Sequence, residues 1–157
     1  MRFTTFTLAA LCTFSQPAWA DPALQIESIQ AFETAPTAMT GGGFMQITNS
    51  GDTDDRLIGV QADYPRVELH TTEFGSDGVA RMMHLEDGIV IPAGETVTLA
   101  PGGFHVMFMG LRDTPFVAGE TVGATLMFEV SGEIPVSFDI VKRDADGHGD
   151  DHADHNH

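Results

Sequence analysis

The run Phe104-His105-Val106-Met107-Phe108-Met109 alternates an imidazole and two thioethers with bulky apolar side chains. In a strand, neighbouring side chains point to opposite faces, so His105, Met107 and Met109 share one face and Phe104, Val106 and Phe108 the other. The phenylalanine face belongs in a core. The other face presents nitrogen and sulfur donors near enough to share an ion. Thioether sulfur is a soft, neutral donor that suits Cu(I) and has little affinity for Mg²⁺, Ca²⁺ or Zn²⁺. Methionine in a β-protein is more often core filler, so one His-x-Met proves nothing alone. A second pair upstream changes the balance. His70 closes Val67-Glu68-Leu69-His70, and after a reversal at Gly75 to Gly78 the chain returns through Met82 and Met83. Such a hairpin brings His70 against the returning strand. Two His/Met pairs make a neutral, four-coordinate His₂Met₂ set for Cu(I). Only one of Met82 and Met83 can point at the ion, because adjacent strand residues face opposite ways. His84 shares its face with Met82 and is a lesser candidate.

The frame that must hold these residues reads as all-β. From Leu24 to Val141, short apolar runs are split by Gly, Pro, Asp and Asn at the spacing of a sandwich or barrel, with no amphipathic helix. Expected strands are Leu24 to Phe32, Phe44 to Asn49, Arg56 to Ala62, Arg66 to Thr71, Val79 to Leu85, Ile89 to Ile91, Thr96 to Ala100, Phe104 to Leu111, Thr121 to Val130 and Ile134 to Val141. Turn chemistry separates them, as in Asn49-Ser50-Gly51-Asp52, Pro92-Ala93-Gly94 and Pro101-Gly102-Gly103. Ala-Gly-Glu-Thr occurs at both Ala93 to Thr96 and Ala118 to Thr121, which suggests one hairpin solution used twice.

The ends are of a different kind. Residues 1–20 read as a secretory signal with Arg2 as the positive end, an apolar run from Phe6 to Phe14, and cleavage after Ala20. No later segment approaches the ~20 apolar residues of a membrane helix. Leu11 before Cys12 argues against lipidation, so the only cysteine leaves with the signal and the exported chain has no thiol. Residues 21–143 then form one copper-binding domain. Residues 144–157 lack any large apolar side chain and are expected to be a disordered, acidic, His-rich tail. Its His148, His152, His155 and His157 are a possible second site, for Cu(II) or Zn²⁺. The formal net charge of −16 argues against nucleic acid and anionic membranes.

The segment from His70 to Leu111 resembles the PCu(A)C family of periplasmic copper chaperones. That family's signature is His, ten residues, Met, twenty-one residues, then His-x-Met. Here twenty-one residues separate Met83 from His105-Val106-Met107, while His70 is followed by twelve residues before Met83 and eleven before Met82. The surplus falls in the Glu73 to Gly78 hairpin, where added length costs little loop entropy. Met83 is therefore preferred, with Met82 and Met109 as alternates. Val67-Glu68-Leu69-His70, Ile91-Pro92-Ala93-Gly94 and Pro101-Gly102-Gly103-Phe104-His105-Val106-Met107 are also similar to family phrases.

The resemblance implies a cupredoxin-like Greek-key β-sandwich with the metal site exposed near one end. It also implies a carrier of Cu(I) in the periplasm, and a monomer is expected. The partners it implies are the copper-bearing subunit of cytochrome c oxidase and a Sco-type thiol protein. A blue-copper site is excluded because the mature chain has no cysteine thiolate. No hydrolase, zinc-protease, phosphate-loop or dinucleotide motif is present, so the chain is read as a non-enzyme. The competing reading is a Cu(II) or Zn²⁺ buffer acting through the tail.

Overall fold

A computed structural model describes residues 23–143; the signal, Cys12 and the four tail histidines lie outside the described residues. The strands are β1 Leu24–Phe32, β2 Thr40–Asn49, β3 Asp55–Ala62, β4 Arg66–Phe74, β5 Ala80–His84, β6 Ile89–Ile91, β7 Thr96–Leu99, β8 His105–Met109, β9 Thr121–Phe128 and β10 Gly132–Val141. A 3-10 turn, Leu111–Asp113, follows β8. Hydrogen bonding runs in the order β5-β4-β8-β2-β1-β10-β9-β3-β6, with β7 added on β2. Among the described residues, only β1 and β10 pair parallel. The frame is the expected all-β, cupredoxin-like sandwich.

Alternation explains which side chains enter the core. Leu69 on β4 lies opposite Val106 on β8, and Val67 opposite Phe108. Leu69, Val106 and Phe108 are buried. Phe108 packs edge-on against Phe116 and Phe138, with ring centres 5.3 and 5.5 Å away. Phe104 departs from the expected face. It belongs to the Pro101 to Gly103 turn, ahead of the first residue of β8, and stays exposed.

Strand β2 begins earlier than its apolar pattern suggests, because it includes Gly41, Gly42 and Gly43. Glycine is a poor strand former, but a Cβ on Gly41 would come within 2.6 Å of the Phe116 ring, and one on Gly43 within 2.7 Å of Phe138. The missing side chains make room for the rings, and packing overrides propensity.

The repeated Ala-Gly-Glu-Thr does form one turn twice. Glu95 N–H donates to Pro92 O at 3.1 Å and Glu120 N–H to Val117 O at 3.1 Å, with Gly94 and Gly119 at φ 74° and 92°. The first copy does not close a hairpin, because β6 pairs with β3 whereas β7 pairs with β2.

Asp55 ties the start of β3 to the turn between β9 and β10. Its carboxylate accepts backbone N–H groups of Arg56 at 2.7 Å, Val130 at 2.9 Å and Ser131 at 3.0 Å. Burial alone would raise its pKa, but these donors and the Ser131 side chain together hold it below the ordinary 3.8. A depressed folded pKa means that the stabilisation is complete above the unfolded value and is lost as pH falls through the folded one. Asp55→Asn, which leaves a buried N–H donor facing an amide, should cost about 1–3 kcal/mol in urea unfolding at neutral pH. The variant should also lose less stability than the wild type between neutral pH and about pH 3.

Candidate metal centre

Strand pairing brings the donors together. On the face opposite the core, the β4–β8 register sets His70 across from His105, Glu68 across from Met107, and Arg66 across from Met109. Met107 is thus a diagonal neighbour of His70, within reach of a long side chain. The His70 and His105 rings lie 5.9 Å apart, centre to centre. A cleft of about 280 Å³ opens beside them, with His105, Met107, Met82, Thr72, Phe44 and Arg143 in its wall. His70 stands next to this cleft without lining it.

Each histidine has one nitrogen engaged and one free. His105 Nδ1 lies 3.0 Å from Gly103 O, which can only accept, so Nδ1 carries the proton and Nε2 keeps a lone pair. Gly103 O also accepts Thr72 N–H at 3.1 Å, which pins the start of β8 to β4. His70 Nε2 lies 2.9 Å from Glu68 Oε2. Hydrogen bonding from His70 holds the Glu68 carboxyl below the usual carboxylate range; partial burial works against this, and the charge of Arg66 adds to it. The remaining nitrogens, His70 Nδ1 and His105 Nε2, are the only buried side-chain polar atoms without a partner among the described residues. A buried, unsatisfied polar atom costs about 1–3 kcal/mol, and a cation between the two rings would remove that cost. Metal-bound histidine characteristically donates its other N–H to a carboxylate or backbone carbonyl, and both forms of support are present.

Register separates the two candidate methionines. On β5, Met82 pairs with Thr72, Met83 with Thr71, and His84 with His70. Paired residues share a face, so Met82 and His84 lie on the side of His70 and His105, while Met83 is turned to the other side. The expected preference for Met83 is reversed on this geometry. His84 is exposed, with its ring 5.6 Å from that of His70. Met109 sits at the far end of the face, where its sulfur accepts Arg66 Nε–H at 3.1 Å. Glu68 was legible only as one acid among many; its period-two spacing from His70 was the available signal. No three His, Cys, Asp or Glu side chains gather around a common point among the described residues.

Solved PCuAC structures share this frame. The copper-bound PCuAC domain from PmoF2 is 28% identical, with a TM-score of 0.63 over 80% of this chain and 97% of that domain. The solution structure of CuI-DR1885 from Deinococcus radiodurans is 30% identical, with a TM-score of 0.62 over 80% of this chain and 83% of that one. The chain itself belongs to the LpqE-like family, described as "Putative lipoprotein LpqE-like", whose model matches residues 24–140. A relative from Leifsonia xyli subsp. xyli, "Putative lipoprotein Lxx21020", is 31% identical over 150 residues, or 89% of each chain.

Exposure orders the sulfurs by access. Met82 and Met83 are 62% and 48% exposed, Met107 is partly covered, and Met45 is 1% exposed in the core. Under dilute peroxide, the metal-free protein should form sulfoxide first at Met82, Met83 and Met39, which is 47% exposed, then at Met107, and last at Met45. Peptide mass spectrometry over a time course reads that order, and early oxidation of Met107 would contradict the described cleft.

Proposed function

We propose that this protein is a copper chaperone of the cell envelope that binds Cu(I) through His70, Met82, His105 and Met107. The observation that carries this reading is the pair of unpartnered ring nitrogens on facing strands, beside a cleft walled by two thioethers. A set of two imidazoles and two thioethers is soft and uncharged, so it holds Cu(I) without obligatory proton release and suits an oxidising compartment. The copper-bound state of the PmoF2 domain and the Cu(I) form of DR1885, two structural relatives, support the choice of metal.

The recipient in this reading is the copper-bearing subunit of cytochrome c oxidase, with a Sco-type thiol protein as co-worker. A neutral, exposed thioether on the edge strand β5 permits release by ligand exchange, which fits a carrier and needs no catalytic machinery. Export is supported by the lipoprotein descriptions of the relatives. The signal segment directs cleavage after Ala20, giving a monomeric periplasmic protein.

The Cu(I) form should show about two sulfur and two nitrogen neighbours in X-ray absorption. Replacing His105 by Ala together with Met107 by Leu should weaken Cu(I) binding at least about 100-fold in chelator competition. Met82→Leu should weaken it clearly more than Met83→Leu, and deletion after Arg143 should leave it largely intact. Loss of binding on tail deletion alone would instead favour a Cu(II) or Zn²⁺ buffer acting through His148, His152, His155 and His157.

A further inference from the structure

We infer that Glu68 is a positioning residue that decides which atoms of this face remain available to an ion. By accepting the Nε2–H of His70, it makes His70 present Nδ1, whereas the Gly103 carbonyl makes His105 present Nε2. The identity of the ion rests on the copper reading above; the assignment of the nitrogens does not.

Three contacts support this role. Glu68 Oε2 accepts the His70 Nε2–H at 2.9 Å, and Oε1 lies in an ion pair with the exposed Arg66 Nε at 3.3 Å, so each carboxylate oxygen has its own partner. The same Arg66 Nε–H reaches Met109 Sδ at 3.1 Å. Met109 is thereby engaged at the far end of the face, and Met107, directly across from Glu68, is the sulfur of β8 nearer in register to His70 and His105. The Glu68 side chain is only 20% exposed and the His70 side chain 12%, so water competes weakly for the bond. An imidazole can place its proton on either nitrogen. A carboxylate fixed beside one of them selects the tautomer, turns the ring and strengthens the opposite lone pair.

The test uses the full exported chain, ¹⁵N-labelled at histidine and metal-free, at about pH 8, where ordinary imidazoles are neutral. Long-range ¹H–¹⁵N spectra should show His70 protonated on Nε2 and His105 on Nδ1. Glu68→Leu should move His70 toward the Nδ1–H form, leave His105 unchanged, and weaken Cu(I) binding by about 10–100-fold in chelator competition. Glu68→Gln keeps a carbonyl acceptor; it should retain the His70 tautomer and most of the affinity. The inference is overturned if wild-type His70 carries its proton on Nδ1, or if Glu68→Leu leaves the tautomer unmoved. Should Glu68→Leu fail to fold, the wild-type spectrum and Glu68→Gln still decide the matter. Failure of the wild type to bind Cu(I) would sink the copper reading alone, since the tautomers are read without metal.

Discussion

The antiparallel register between β4 and β8 is the constraint on which the rest depends. It has two faces, and each enforces the other. Leu69, Val106 and Phe108 must be inside, and each fully buried side chain of this size is worth roughly 1.5–3 kcal/mol. Strict alternation then forces His70, Glu68, His105 and Met107 onto the opposite side, in facing pairs. A slip of one residue would bury the donors and expose Leu69, Val106 and Phe108, so the core stabilises the alignment that the polar face uses. The glycines of β2 contribute from behind. They let Phe116 and Phe138 close around Phe108, and that fixes the strand carrying His105 and Met107.

Against this ordered background, two imidazole nitrogens are left buried and unpaired, a local cost that elsewhere the fold avoids. Asn49, buried just as deeply, donates to Thr53 O and Ile91 O and accepts from Gly51 N–H. Asp55 is satisfied by three backbone donors. The contrast is informative because the chain satisfies buried polar groups where it can. Unpaired lone pairs at one spot, each with its ring locked from behind, have the form of strain held ready for a ligand.

Much of this was legible in the sequence, and the reasons differ by element. Period-two alternation in His105 to Met109 and Val67 to His70 located β4 and β8, because one face of each is buried and the pattern there is clean. Met82 and Met83 were harder. Residue counts along the chain favoured Met83, but which of two adjacent residues faces the site depends on the turn that joins β4 to β5. In that turn Gly75 N–H bonds Val79 O and Gly78 N–H bonds Gly75 O, so Phe74 pairs with Ala80 and the parity of β5 follows. Turn conformation of this kind is set by geometry that spacing does not encode. Gly41 to Gly43 were missed for the opposite reason: their role is to be absent, and only the rings that occupy the space reveal it. Glu68 was hidden by composition, since one useful carboxylate in so acidic a chain carries no mark of its own.

Burial across the proposed site is graded, and the gradient bears on how a carrier would work. His105 is 4% exposed and braced by a backbone carbonyl; Met82 is 62% exposed on an edge strand whose outer side is unpaired. Holding a flexible, exposed thioether on an ion costs side-chain entropy, whereas the braced imidazoles are already in position. The exposed donor therefore contributes least net free energy and is the first to be displaced by a competing ligand. Replacement would proceed from Met82 inward, with His105 and His70 holding the ion until the incoming donors outnumber them. The same asymmetry that makes the inner ligands good at capture leaves the outer one suited to letting go.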